Sequence, residues 1–118
     1  MDAFRITPDL AGGTALSGTE AIDLTVQVPF TYRLAEARLT LGAVSADLGD
    51  LSITLDSELG AGFDNVISTP DPDEDLAATT SFRYADIVPP IIFPGDAIKI
   101  AWPNVGGKAW ALDIIGVR

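Results

Sequence analysis

Two residue types are missing from this chain of 118 residues: it has neither cysteine nor histidine. The first absence rules out disulfides, zinc–thiolate sites and a cysteine nucleophile, and leaves the redox compartment unmarked. The second removes the usual general base, the commonest transition-metal ligand and the side chain that switches near neutral pH. Basic residues are scarce. Seven Lys and Arg stand against 17 Asp and Glu, for a formal net charge of −10. That balance repels phosphate backbones and anionic lipid, so nucleic acid and membrane are not expected as direct partners. No apolar run approaches the ~20 residues of a transmembrane helix. The opening residues MDAFR lack the basic-then-apolar pattern of a secretory signal, so synthesis in a cytoplasm is the expectation.

What the chain does contain is alternation. Ile22, Leu24, Val26, Val28 and Phe30 alternate with polar residues and Pro29, giving the clearest half-buried strand. Leu51, Ile53 and Leu55 repeat the pattern against Ser52, Thr54 and Asp56. Residues 32–41 have helix-forming composition. Their second half, with Ala35, Ala37, Leu39 and Leu41 on one face, still has a period of two and no preceding cap, which predicts a strand. Shorter strands are predicted at 4–7, 63–69, 79–84 and 89–94. In the stretch 93–117, Ile98, Ile100 and Trp102 share one face and Trp110, Leu112 and Ile114 another, on either side of PNVGGK; this reads as a hairpin.

About eight short strands separated by Gly, Pro and Asp predict an all-β fold, a single antiparallel β-sandwich of jelly-roll type. Residues 1–19, with AGGTALSGT, read as a flexible N-terminal arm bearing a short strand, and 20–118 as the sandwich domain. With 47% hydrophobic residues, such a domain leaves apolar surface for a partner or a sister subunit to cover.

Motifs for chemistry fail on inspection. Asp71, Asp73 and Asp75 have the 1, 3, 5 spacing that opens a calcium loop, but Leu76 replaces the turn glycine and Phe82 the bidentate glutamate. A looser set drawn from Asp47, Asp50 and Asp64 would need the fold to bring separate loops together. Ser17 lacks a G-x-S-x-G setting, and Gly12-Gly13 lacks the lysine of a phosphate loop. With 17 acidic residues some carboxylate pair always exists, so pairs alone do not indicate glycoside hydrolysis. No enzyme activity and no cofactor or metal is expected. Trp102 and Trp110 fall on the predicted inner face, which favours core packing over a sugar-stacking platform. Asn104 and Lys108, in the loop between them, are the better candidates for a polar contact.

The segments LSITLDSELGAGFDNVI, FPGD and IKIAWPNVGGKAWALDI, in that order, resemble small β-sandwich virion proteins of tailed bacteriophages over roughly residues 32–117. The resemblance implies a structural component of the virion, made in the host cytoplasm. The foremost expectation is a capsid decoration (cement) protein that binds the lattice of the major capsid protein or other virion proteins. It would be a homo-oligomer, with a trimer favoured. Phe4, Arg5, Leu10 and Leu16 would then contact the lattice. The alternative is a tail- or fibre-associated module that recognises a host-surface glycan or receptor through Asn104, Lys108 and an exposed aromatic.

Overall fold

The computed structural model describes residues 2–42, 51–60, 62, 64–68, 81–86 and 88–118, and among them it has ten strands and the 3-10 helix Pro8–Ala11. In chain order the strands are β1 (Ala3–Arg5), β2 (Ser17–Gly18), β3 (Ile22–Gln27), β4 (Tyr32–Leu41), β5 (Ser52–Asp56), β6 (Asn65–Ser68), β7 (Ser81–Tyr84), β8 (Ile91–Ile92), β9 (Ala97–Trp102) and β10 (Trp110–Val117). All pairing is antiparallel. One sheet has the order β1-β10-β4-β7, with β2 also on β10 and β8 also on β4; the second has the order β3-β9-β5-β6. Among the described residues, no helix is long and apolar enough to cross a membrane.

The pairing is nested. β1 and β2 lie at opposite ends of β10 and together make one interrupted edge strand; β7 and β8 do the same beside β4. Counted that way there are eight strands, and the first pairs with the last, β3 with β9, β4 with β7 and β8, and β5 with β6. A long antiparallel ribbon rolled into two facing sheets has this pairing, and it is the jelly roll. The fold class therefore matches the prediction from alternation.

The predicted hairpin at 93–117 does not form. β9 and β10 lie in different sheets, each with both edges already taken: β9 by β3 and β5, β10 by β4 and the β1–β2 edge. Period two reveals which face of a strand is inward but not which neighbour it pairs with. Trp102 and Trp110 both point into the layer between the sheets and are 1% and 5% exposed. The segment between them crosses the end of the sandwich.

Of the flexible arm expected over residues 1–19, residues 2–18 are part of the wall. β1 and β2 extend the first sheet, Ile6 and Ala11 are buried, and the 3-10 helix Pro8–Ala11 packs on β3 of the second sheet. Phe4, Leu10 and Leu16 pack partly against the core. Between them these side chains close one long side of the sandwich, which outweighs the entropy of a Gly-rich stretch.

A register shift opposite Ile115 and Gly116 leaves Ala35 as an extra residue in β4. Tyr32 and Leu34 face inward before the bulge, and Ala37, Leu39 and Leu41 face inward after it. Glu36 is thereby placed on the outer face rather than in the core. Nearby, Phe4 packs edge-on against Phe30 and Tyr32, with centroids 5.2 and 5.6 Å apart. Burial pushes the Tyr32 hydroxyl pKa up to about 12. Both rings of the Phe4–Tyr32 pair lie over Gly116: a Cβ there would sit 2.5 Å from Phe4 Cζ and 2.9 Å from Tyr32 Cδ2. Gly116→Ala should therefore cost about 1–3 kcal/mol through overpacking, read by urea unfolding. A variant as stable as the parent would show that the aromatic cluster yields freely.

Candidate functional site

The two outer faces of the sandwich differ in charge. The face of the first sheet carries Arg5, Arg33, Arg38 and Arg83, four of the seven basic residues of the chain, with Glu36 and Asp113 between them. Three of these arginines form a ladder across the strands. Arg5 Nε lies 2.8 Å from Asp113 Oδ1, and Asp113 faces Arg38 in register. Arg38 Nη2 and Arg83 Nε lie 2.9 and 2.7 Å from Glu36 Oε1. Hydrogen bonds from Arg83 and then Arg38 hold the Glu36 carboxyl below its ordinary range. The opposite face is made mostly of small and polar residues, including Asp23, Thr25, Thr54 and Ala101, with Lys99 3.4 Å from Asp56.

The arginine face runs to one end of the sandwich, where a pocket of about 220 Å³ is lined by Thr31, Tyr32, Arg33, Ile91, Val117 and Arg118. The Arg33 guanidinium donates to the Pro89 carbonyl at 3.0 Å. Arg118 is stacked on Phe30, its Cζ 4.0 Å from the ring centroid, and its backbone pairs with Asp2. Around this end, large apolar side chains face solvent: Leu59 is 75% exposed and Phe93 57%, with Val88 and Ile91, also exposed, shortly before Phe93 in sequence. Asp96 holds the two turns together by accepting hydrogen bonds from the backbone of Glu58 at 3.0 Å and Phe93 at 3.4 Å. A second groove, about 390 Å³ and more polar, lies between the 3-10 helix and β3, with Asp9, Thr14, Asp23, Thr25 and Gln27 among its lining.

Residues singled out from the sequence do not converge. Phe4 belongs to the aromatic cluster, Arg5 is exposed and ion-paired, and Leu10 and Leu16 lean on the core. Asn104 and Lys108 lie at the opposite end from the pocket. Asn104 is only 5% exposed and has φ 47°, the left-handed region that Asn tolerates better than most residues. Its Nδ2 lies 2.9–3.1 Å from the carbonyls of Thr19, Glu20 and Lys108, and its Oδ1 accepts from the Lys108 amide at 3.0 Å. With its amide fully engaged inside the fold, Asn104 pins the crossing loop to the corner between β2 and β3 and offers little to an outside ligand. The Trp110 indole donates to the Glu20 carbonyl at 2.8 Å and strengthens that corner. The Trp102 indole N–H has no hydrogen-bond partner among the described residues.

Asp47, Asp50 and the acidic stretch 71–75 lie outside the described residues. Asp64, from the looser carboxylate set, accepts from the Ser57 amide at 2.8 Å. Among the described residues, no group of three or more carboxylates or other ligating side chains could hold a metal ion. Arg33, Arg118, Ile91 and Phe93 were not identifiable from local pattern. The nearest signal was the unusual run Ile-Ile-Phe between prolines, which places apolar side chains on a two-residue strand too short to bury them all.

Asn104→Ala should lower unfolding stability by about 2–4 kcal/mol, combining lost buried hydrogen bonds with a left-handed alanine. Lys108→Ala should cost less than about 0.5 kcal/mol in the same thermal and urea series. A depressed carboxyl pKa gives stability that is present above its unfolded value and lost as the pH falls through the folded one. The stability difference between the parent and Glu36→Gln should therefore be largest near neutrality and shrink well below pH 4.5, the ordinary glutamate value. A pH-independent difference would contradict this.

Comparison with protein-family models, with curated proteins and with solved structures finds no match to this chain.

Proposed function

We propose that this chain is a structural component of a bacteriophage virion, a capsid decoration (cement) protein that binds the capsid lattice and stabilises the head. The observation that carries the reading is the end of the sandwich where Leu59, Val88, Ile91 and Phe93 project into solvent beside the arginine face. Apolar groups so exposed on a small domain mark a surface that is covered in the working assembly. The turns that carry Leu59 and Phe93 are tied together by Asp96, which holds these two side chains in place before they meet a partner.

The jelly roll suits such a role because its ends and faces dock without disturbing the core. The resemblance of LSITLDSELGAGFDNVI, FPGD and IKIAWPNVGGKAWALDI to small phage virion proteins supplies the class. In this reading the protein is a homotrimer on local symmetry axes of the head, and the major capsid protein is its partner. Cyclic assembly uses two different patches of each subunit, and the unlike outer faces described above provide them. A tail- or fibre-associated receptor module is the weaker reading, since both tryptophans are buried and, among the described residues, Phe93 is the exposed aromatic available to stack on a sugar.

Quantitative mass spectrometry of purified particles tests the proposal through copy number relative to the major capsid protein. Decoration predicts copy numbers on the scale of the capsid lattice itself. A number on the scale of a tail tip would favour the receptor module, and absence from the particle would overturn the virion reading.

A further inference from the structure

The arginines of the first sheet fall into two groups. Arg5, Arg38 and Arg83 each contact Asp113 or Glu36, so each has an ion-pair partner within the molecule. Arg33 and Arg118 are in no ion pair among the described residues, although the chain carries 17 carboxylate side chains. Both line the same pocket. Both are also held in place, Arg33 by the Pro89 carbonyl and Arg118 by the Phe30 ring. A guanidinium has five N–H donors, so each keeps most of its hydrogen-bonding capacity for something else. The rest of the lining is largely apolar, with Ile91 and Val117 on either side of Arg33 in register.

We propose that the pocket between β4, β8 and the end of β10 is a docking site for an acidic side chain carried on an apolar segment of a partner protein, gripped by Arg33 and Arg118. The chemistry fits at each point. Two preorganised guanidiniums suit a carboxylate, which accepts paired N–H donors in their plane. Ile91 and Val117 suit the aliphatic neighbour of that acid. At about 220 Å³ the pocket is smaller than the ~300–1,000 Å³ of sites that enclose whole small molecules, which matches one or two side chains of a longer chain. A long polyanion is a poor occupant, because beyond this face it would meet the carboxylates that give the chain its charge of −10. The site goes beyond the virion reading and does not depend on it.

The test is an NMR titration of the isotopically labelled full chain at low salt with acetyl-Leu-Glu-Leu-amide and its Gln counterpart. Expected is a saturable shift of the Arg33 and Arg118 Nε–H signals and the Ile91 and Val117 methyls with the Glu peptide. Binding of the Gln peptide should be about tenfold weaker. Arg33→Gln and Arg118→Gln should each weaken Glu-peptide binding by about fivefold or more while the core Ile53 and Ile100 methyls stay in place, and Arg33→Lys should fall between. Equal binding of the two peptides, or unchanged shifts in the double Gln variant, would overturn the site. Inorganic phosphate binding as tightly as the Glu peptide, with the same dependence on both arginines, would overturn the carboxylate assignment in favour of a phosphorylated partner. Neither result bears on copy number in particles, so failure here and failure of the virion reading are separable.

Discussion

The layer of apolar side chains between the two sheets is what every outer feature depends on. Leu24, Ile53, Ile98, Ile100 and Trp102 from one sheet meet Leu34, Leu39, Trp110 and Ile114 from the other, and all are almost fully buried. Because each strand offers this layer one residue in two, the alternate residues are fixed on the outside with no freedom of their own. The arginine ladder is a by-product of that constraint. Arg33, Glu36, Arg38, Arg83 and Asp113 stand on one face because their neighbours are committed to the core.

The bulge at Ala35 refines the same constraint. Without it, Glu36 would follow Tyr32 and Leu34 into the interior, where an ionised carboxylate is severely disfavoured. With it, Glu36 becomes the shared acceptor for Arg38 and Arg83. One extra residue thus converts a misplaced charge into the centre of an ion-pair ladder. It also separates the outer face into a ladder whose arginines all have ion-pair partners and a pocket whose arginines have none among the described residues.

Much of the architecture was legible in the sequence, and the reason is physical. Alternation in 22–30, 51–55 and 98–102 is imposed by one-sided burial, so it reports strand existence and inner face directly. The slip in β4 was missed: Ala35 was expected on one face with Ala37, Leu39 and Leu41, although apolar residues fall on even positions at Tyr32 and Leu34 and on odd ones from Ala37, a switch that also explains the segment's partial likeness to a helix. Strand partners were not legible, because nothing local distinguishes a hairpin from a crossing between sheets; PNVGGK serves the second purpose here through Asn104. The candidate site was harder still. Arg33, Ile91, Val117 and Arg118 come from three strand ends and meet only through the nested pairing, while Asn104, polar and in a loop, turned inward because its backbone needed the left-handed region and its amide completed the corner.

Nested pairing also bears on how the chain comes to be folded. The innermost pair, β5 with β6, closes over a short loop, whereas the outermost joins Ala3 to Val117. Contacts so distant in sequence must absorb the entropy of closing the chain before they return any stability, which makes all-β topologies of this kind slow to form. On a ribosome, β1 would wait on the order of ten seconds for its partner to be made. Until then β4 has β7 and β8 on one edge and nothing on the other, and the inner face of half a sheet is bare. The strand that completes the first sheet and helps shape the arginine pocket, β10, follows the other nine described strands in the chain, so a partner that reads this pocket meets only chains in which β10 is in place.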